Sequence, residues 1–406
     1  MKDNSSLNWE STKLGRIAEV ESGFAFPLKY QGKKQGKYVF TKVSDTNVKG
    51  NEKYILKTNN YIDEKDIGDI NVKIFPRGAI IFPKIGMVIN LNKKRILGVE
   101  GTVDNNMMVL IPKDELCNNE FLYQYFIGKI DLREIADRTT LPYIKKSTVE
   151  DIIIKIPPLG EQHGIAEVLG TVDEAIRRTD DIIAKAEELK SGLMQRLLTQ
   201  GIGHTEFKQT ELGEIPVTRE ISNFEKIFKL SSGEPRPKEV SAVKDFINNT
   251  PIYGGNGILG WTNRSNINEN VIVIGRVGEY CGAVHLVKEK IWITDNALYT
   301  KNFYQVNNLD YIYFLLTFLQ LNKFSKRSGQ PLITQSIINN IKIALPSLAE
   351  QEAISNILME SESNIRIEKR KKESLKKIKV GLMQILLSGR VRVELREDGL
   401  HRIDDS

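Results

Sequence analysis

The sequence is poor in the residues that mark secreted, metal-bound or membrane-embedded chains. Its 406 residues include two cysteines, Cys117 and Cys281, far apart and without histidine or cysteine neighbours at metal-ligand spacing. That usage excludes a disulfide framework and fits reduced thiols in a cytoplasm. Of the four histidines, His163, His204, His285 and His401, none has a paired ligand or a nucleophile at a suggestive spacing. Long hydrophobic runs are missing too. The longest, Tyr311 to Leu321, falls far short of the roughly 20 residues a membrane helix needs, and is expected to be a buried amphipathic helix. The opening Met-Lys-Asp-Asn-Ser-Ser contains no apolar signal segment. Charge of one sign is scarce as well. The net charge of +6 divides as +2 over residues 1–203 and +4 over 204–406, so there is no basic tail. Such a balance is compatible with nucleic acid but does not establish it. Length and composition otherwise suit a globular protein of two or three domains.

Catalytic signatures are equally sparse. A metal-dependent nuclease needs clustered carboxylates. The nearest set, Asp180, Asp181 and Glu188 with Lys190, sits on a helical stretch where such charges usually form a solvated face. Gly32 to Tyr38 has neither the spacing nor the terminal Ser or Thr of a phosphate-binding loop. The only Pro-Pro pair, Pro157-Pro158, lacks the Asn/Asp and aromatic flanks of an amino-methyltransferase motif. No seat for catalysis is visible.

What is present is a repeat, which has to be sought before any fold is assigned. Pro157-Pro158-Leu159-Gly160-Glu161-Gln162 recurs 189 residues later as Pro346-Ser347-Leu348-Ala349-Glu350-Gln351. The same offset carries Lys190-Ser191-Gly192-Leu193-Met194-Gln195 onto Lys379-Val380-Gly381-Leu382-Met383-Gln384. It also carries Pro142, Ile144, Ser147 and Ile152 onto Pro331, Ile333, Ser336 and Ile341. Upstream the echo drifts: Asp104-Asn105 onto Asp295-Asn296, Gly86 onto Gly278, and Ile17 with Ser22-Gly23 onto Ile227 with Ser232-Gly233. Most of the drift falls in residues 24–80. The chain is therefore two copies of one unit, each with a divergent body and a nearly constant end. A period this long is a duplicated domain, not a solenoid.

The constant end reads as a helix that Pro157-Pro158 bars from starting earlier. Ile165, Leu169, Val172, Ile176, Ile183, Ala186, Leu189, Leu193 and Leu197 form its apolar stripe, and Ile354, Leu358, Ile365, Leu375, Leu382 and Leu386 keep the seam in the second copy. Gly201 and Gly389 stand where C-terminal stops are expected. Each helix would span about 38 residues, near 57 Å. Two seams spaced at about 3.5 residues favour a mutual coiled coil. In the divergent bodies, Gly78–Phe82, Met87–Leu91, Met107–Ile111, Asn270–Ile274 and Ala283–Val287 read as strands, and Phe121–Ile130 and Asp310–Leu321 as helices. The expected class is α+β. The boundaries are 1–156 and 204–345 for the two bodies, with 157–203 and 346–406 for the helices and their tails.

Basic residues gather locally. Lys29, Lys33, Lys34, Lys37, Lys42, Lys49, Lys53 and Lys57 face only Asp45 and Glu52 within residues 26–57, with Phe26, Tyr30, Tyr38, Phe40 and Tyr54 interleaved. Lysines neutralise phosphates and aromatics pack on sugars or bases, although a solvated Lys-rich meander would look the same. Arg138 with Lys145 and Lys146, and Lys326, Arg327 and Gln330, precede or flank the matched Pro142 and Pro331. Arginine and glutamine can read base edges in the major groove. Lys84 and Arg276 each lie two residues before a shared glycine, and Arg264 joins them as a candidate. The run from Arg366 to Lys379 is basic where its counterpart is nearly neutral, and most such runs are solvated faces.

The twice-occurring Pro-x-Leu-x-Glu-Gln-x-x-Ile opening of a long helix, with its Lys-x-Gly-Leu-Met-Gln-x-Leu-Leu ending, resembles type I restriction-modification specificity subunits. The linker Thr210-Glu211-Leu212-Gly213-Glu214-Ile215-Pro216, the stretch Ile274 to Gly282 and each Ser-Gly are similar to that family as well. The resemblance covers essentially the whole chain. It implies two tandem target-recognition domains, each followed by a helix, with the helices antiparallel and related by a pseudo-two-fold axis. Each domain would read one half of a bipartite, asymmetric double-stranded DNA target. Two modification subunits and ATP-driven restriction subunits would be recruited. S-adenosylmethionine, ATP and magnesium would be used on those other subunits, with no cofactor, metal or catalytic residue in this chain and no membrane partner. Glu161, Gln162, Ile165, Leu169, Leu193 and Leu197, and Glu350, Gln351, Ile354, Leu358, Leu382 and Leu386, are the candidates for helix pairing and partner docking. A free-standing DNA-binding scaffold on the same fold, or a lone nuclease or methylase, are the competing readings.

Overall fold

The computed structural model describes residues 9–137, 139–325, 330–395 and 401–405. It divides into two compact units, one of residues 1–179 with 371–406, the other of residues 180–370. The division cuts across both long helices, which run Leu159–Thr199 and Leu348–Leu386. The first begins directly after Pro157-Pro158, as the ring constraint of proline requires.

In the first unit a five-stranded sheet runs in the order Ala18–Ser22, Met107–Pro112, Ile80–Pro83, Arg95–Leu97, Tyr54–Ile55. All neighbours are antiparallel except the last pair. The helix Asn119–Lys129 packs on it through Phe121, Leu122 and Phe126. The core continues into Ile165 and Leu169 of the first long helix and Met383, Leu386, Leu387, Val391 and Val393 of the chain's end. This unit is thus closed by residues from both ends of the sequence.

The second unit repeats the plan. Phe228–Ser232, Ala297–Phe303, Val271–Gly275 and Val284–Val287 form an antiparallel sheet in that order. The helix Leu309–Phe318 covers it, burying Tyr311, Ile312, Phe314 and Leu316 as the apolar run suggested. Leu197, Leu198, Ile354 and Leu358 complete its core. Both units also close with the same short ladder, Glu10–Lys13 on Ile153–Ile156 and Glu220–Asn223 on Lys342–Leu345.

The duplication is visible bond by bond. Gly23 N–H donates to Met107 C=O and Gly233 N–H to Ala297 C=O. A Cβ at either glycine would lie 2.0 Å from Asp104 O or 2.3 Å from Ile293 O, so no side chain fits. These pairs also correct the register read from the sequence. Asp104 is equivalent to Thr294, not Asp295, because Met107 and Ala297 each close a turn onto those two carbonyls. Asn106 is the true match of Asn296: their carbonyls accept from Lys84 and Arg276 N–H.

One expected strand is absent. Met87–Leu91 is a 3₁₀ helix, opened by Gly86 at φ 84° and closed by Asn92 in the left-handed region. Its alternating apolar pattern buries only Ile89. Arg95–Leu97 takes the ladder position beside Ile80–Pro83 instead.

The long helices pair within each unit. In the second unit Lys190 Nζ lies 2.9 Å from Glu362 and Lys369 Nζ 2.6 Å from Glu187, so rising numbers meet falling ones and the pairing is antiparallel. In the first unit Lys379 Nζ lies 2.6 Å from Asp173. Lys190 and Lys379 are repeat equivalents, as are Asp173 and Glu362. The same ion pair is therefore built twice with the helices exchanging roles. Leu189, expected in the seam, is 62 % exposed. Lys190 takes the inward place, its amine 5.5 Å from the Phe314 ring centroid.

Candidate nucleic-acid interface

The lysine-rich segment lies within the first unit: Tyr38–Thr41 is the central strand of a three-stranded sheet with Tyr61–Ile62 and Gly101–Val103, and Tyr54–Ile55 is the edge strand of the five-stranded sheet. Its charges are less available than the local count suggests. Lys33 Nζ lies 2.5 Å from Asp63 and 3.3 Å from Asp66, Lys37 pairs with Glu64, and Lys53 lies 2.9 Å from Glu120 and 3.3 Å from Asp173. Lys34 Nζ donates to Asn59 Oδ1 at 3.0 Å. The hydrogen bond to Asp63 raises the Lys33 amine above its usual value, and the bond to Lys33 lowers Asp63. The partners come from the helix Glu64–Ile70 and beyond, outside the window in which the sequence showed an excess of lysine.

The shared glycines frame a more specific feature. In the first unit Gly86 N–H donates to Pro142 C=O and Ile144 N–H to Lys84 C=O. In the second, Gly278 N–H donates to Pro331 C=O and Ile333 N–H to Arg276 C=O. Gly86 and Gly278 have φ of 84° and 89°, a region that penalises any side chain. Pro142 and Ile144 in the first unit, and Pro331 and Ile333 in the second, are thus pinned by the same pair of hydrogen bonds.

Lys84 belongs to the scaffold rather than to an open basic surface. It is buried and its amine donates to Ser22 Oγ at 2.8 Å; burial lowers its pKa, with Asp104 opposing. The Lys84 amine is thus engaged inside the unit and is not part of an exposed basic surface. Arg276, its equivalent, is half-buried, with a buried Nε that makes no hydrogen bond. Lys145 pairs with Asp137 at 2.9 Å, and Lys146 lies 3.9 Å from Glu21 and Glu150. Arg264 stands over the Trp292 ring, 5.6 Å from its centroid. Gln330 is exposed beside Gly278. Arg138, Lys326 and Arg327 lie outside the described residues.

The repeated Glu-Gln of each helix has an internal task. Gln162 Nε2 donates to Pro157 and Leu116 C=O, and its Oε1 accepts from Asn118 N–H at 2.8 Å. Gln351 Nε2 donates to Pro346 C=O and its Oε1 accepts from Asn308 N–H at 3.0 Å. Asn118 and Asn308 in turn cap the domain helices through Phe121 N–H and Tyr311 N–H. Glu161 is held bidentately by Arg392, at 2.7 and 2.6 Å. Glu350 is held by Arg219 at 2.7 Å and His204 at 3.0 Å. Gln162 and Gln351 thus tie the start of each long helix to its own domain, while Glu161 ties the first helix to the chain's end through Arg392 and Glu350 ties the second to Arg219 and His204. Ile165, Leu169, Leu197, Ile354, Leu358 and Leu386 are core, while Leu193 and Leu382 are half-buried beside it. The sequence carried no signal for Arg392, Arg219 or His204, since none of them repeats.

The family model described as "Type I restriction modification DNA specificity domain" matches residues 6–188 and 205–377, one match per copy. The chain belongs to that family. Its relatives are specificity subunits, and it is the specificity subunit of a type I restriction-modification system. It is 28 % identical over 413 residues to the putative MjaX specificity subunit of Methanocaldococcus jannaschii, covering 95 % of this chain and 94 % of that one. It is 27 % identical over 348 residues to the MjaVIII specificity subunit of the same organism, covering 73 % and 76 %. The S subunit of a type I system from M. genitalium shares the fold, with a TM-score of 0.65 at 16 % identity over 95 % of this chain and 98 % of that one.

Proposed function

We propose that each copy reads one half of a bipartite, asymmetric DNA target and that the paired helices fix the gap between the halves. The observation that carries this reading is the double construction: the same loop scaffold and the same helix ion pair occur twice, while the residues on the loops differ. A common frame with different tips suits two different half-sites. Half-sites about one helical turn apart, roughly 34 Å, would face one side of the duplex. Lys34, Arg264 and Gln330, with Arg138, Lys326 and Arg327, are the proposed DNA contacts.

Methyl transfer from S-adenosylmethionine and ATP-driven restriction, with magnesium, belong in this reading to modification and restriction subunits. The specificity chain supplies recognition and no catalytic group. The test is co-expression with the modification subunit of its own system. The expected product is a complex that protects one split DNA sequence. Failure to form any such complex overturns the reading, and methyl transfer or cleavage by the pure chain would establish a lone enzyme instead.

A further inference from the structure

Leu141 and Gln330 occupy the same place in the two copies, 189 residues apart in the repeat. Each stands over the left-handed glycine of its scaffold. The position of a Cβ on Gly86 is 3.7 Å from Leu141 Cδ1, and on Gly278 it is 3.8 Å from Gln330 Nε2. Leu141 is 60 % exposed although its neighbours are anchored: Asp137 N–H donates to Tyr143 C=O, Pro142 C=O accepts from Gly86, and Thr139 Oγ1 donates to Leu141 C=O at 2.7 Å. A single exposed leucine is ordinary on a protein surface. Its position, matched to a glutamine on an identical frame, is not accounted for by folding.

We infer that residue 141 in the first copy and residue 330 in the second are the matched base-reading positions, and that their difference makes the two half-sites differ. The inference rests on the bipartite-recognition reading above. Leucine has no donor or acceptor, so in the major groove it distinguishes base pairs through the thymine methyl. Glutamine offers one donor and one acceptor from a single amide, the pattern that adenine N7 and N6 complement. The first copy therefore prefers thymine at this position of its half-site and the second prefers adenine. A good bidentate contact such as glutamine makes to adenine discriminates roughly 5- to 150-fold against a wrong base.

The experiment uses the full chain assembled with its modification subunits and a duplex library randomised over both half-sites. Leu141→Gln is expected to convert one thymine preference to adenine in one half-site, leaving the other half-site unaltered. Gln330→Leu should do the converse in the other half-site. A second readout follows the methyl group itself: deoxyuridine in place of that thymine should weaken the parent complex several-fold and leave Leu141→Ala unaffected. If the parent complex selects a split sequence and both substitutions leave it unchanged, or weaken all sequences equally, this inference is overturned while the bipartite reading stands. If the parent complex selects no split sequence, both fall together.

Discussion

Arg219 is 1 % exposed, yet its guanidinium is well used. Nη1 donates to Leu198 and Thr199 C=O at the end of the first long helix, and Nη2 donates to Glu350 at 2.7 Å near the start of the second. Breaking a buried pair leaves an uncompensated charge, so Arg219→Met should cost about 3 kcal/mol in urea unfolding. Burial pushes the Glu350 carboxyl up, but Arg219 and His204 outweigh it and the net shift is downward. A carboxyl depressed in the folded state adds stability above the ordinary carboxylate range and loses it as pH falls through the folded value. Glu350→Gln should therefore flatten the acid limb of the stability profile. Lys94 acts at the other end of the scale. Its amine donates to Asn92 Oδ1 at 2.8 Å and Ile130 C=O at 2.6 Å, and burial lowers it to about 8 against the pull of Asp131. The unfolded chain binds this proton more tightly, so stability should rise with pH from about 8 towards 10.5, and Lys94→Met should abolish that slope. None of these roles is legible in the sequence, where Arg219 lies far from Glu350 and Lys94 far from Ile130.

At the scale of elements, the exchanged ion pairs of the long helices make a direct test. Asp173 is shared by Lys379, Lys53 and the Gln124 amide, whereas Glu362 meets Lys190 over the Phe314 ring. Both are partly shielded from water. Swapping charges as Asp173→Lys with Lys379→Asp should recover part of the loss of either single change, and the double-mutant coupling should be about 1 kcal/mol. The long helices were readable because a 3.5-residue seam and flanking prolines and glycines are local signals. Met87–Leu91 was misread because alternation alone cannot distinguish a strand from a 3₁₀ turn. The ladder partner that decides the matter is supplied by Arg95–Leu97 from further along the chain. The partners of the lysine-rich segment were illegible for a related reason: its acids lie outside that window, at Asp63, Glu64, Asp66, Glu120 and Asp173.

At the scale of the whole chain, the first unit takes in residues 371–406. Deleting them removes Met383, Leu386, Leu387, Val391 and Val393 from its core, and the Arg392 clasp from Glu161. Each large buried side chain is worth about 2–5 kcal/mol. Limited proteolysis should then cut within residues 9–137 while residues 205–370 stay protected, an effect at the opposite end of the sequence from the deletion. Inserting about four residues, roughly one turn, into both long helices should lengthen the tolerated gap between half-sites; an unchanged gap would refute the spacing role. The sequence by itself determined that the chain is a duplication, where its two helices lie and which family it belongs to. Repeats and helical periodicity are carried by neighbours along the chain and survive without a fold. Which glutamates are locked, which lysines are neutralised and which loop residues stand over Gly86 and Gly278 emerged only on folding. The deciding pairs, Arg219 with Glu350, Arg392 with Glu161 and Lys53 with Asp173, are brought together from distant positions, and no short window of sequence contains both partners.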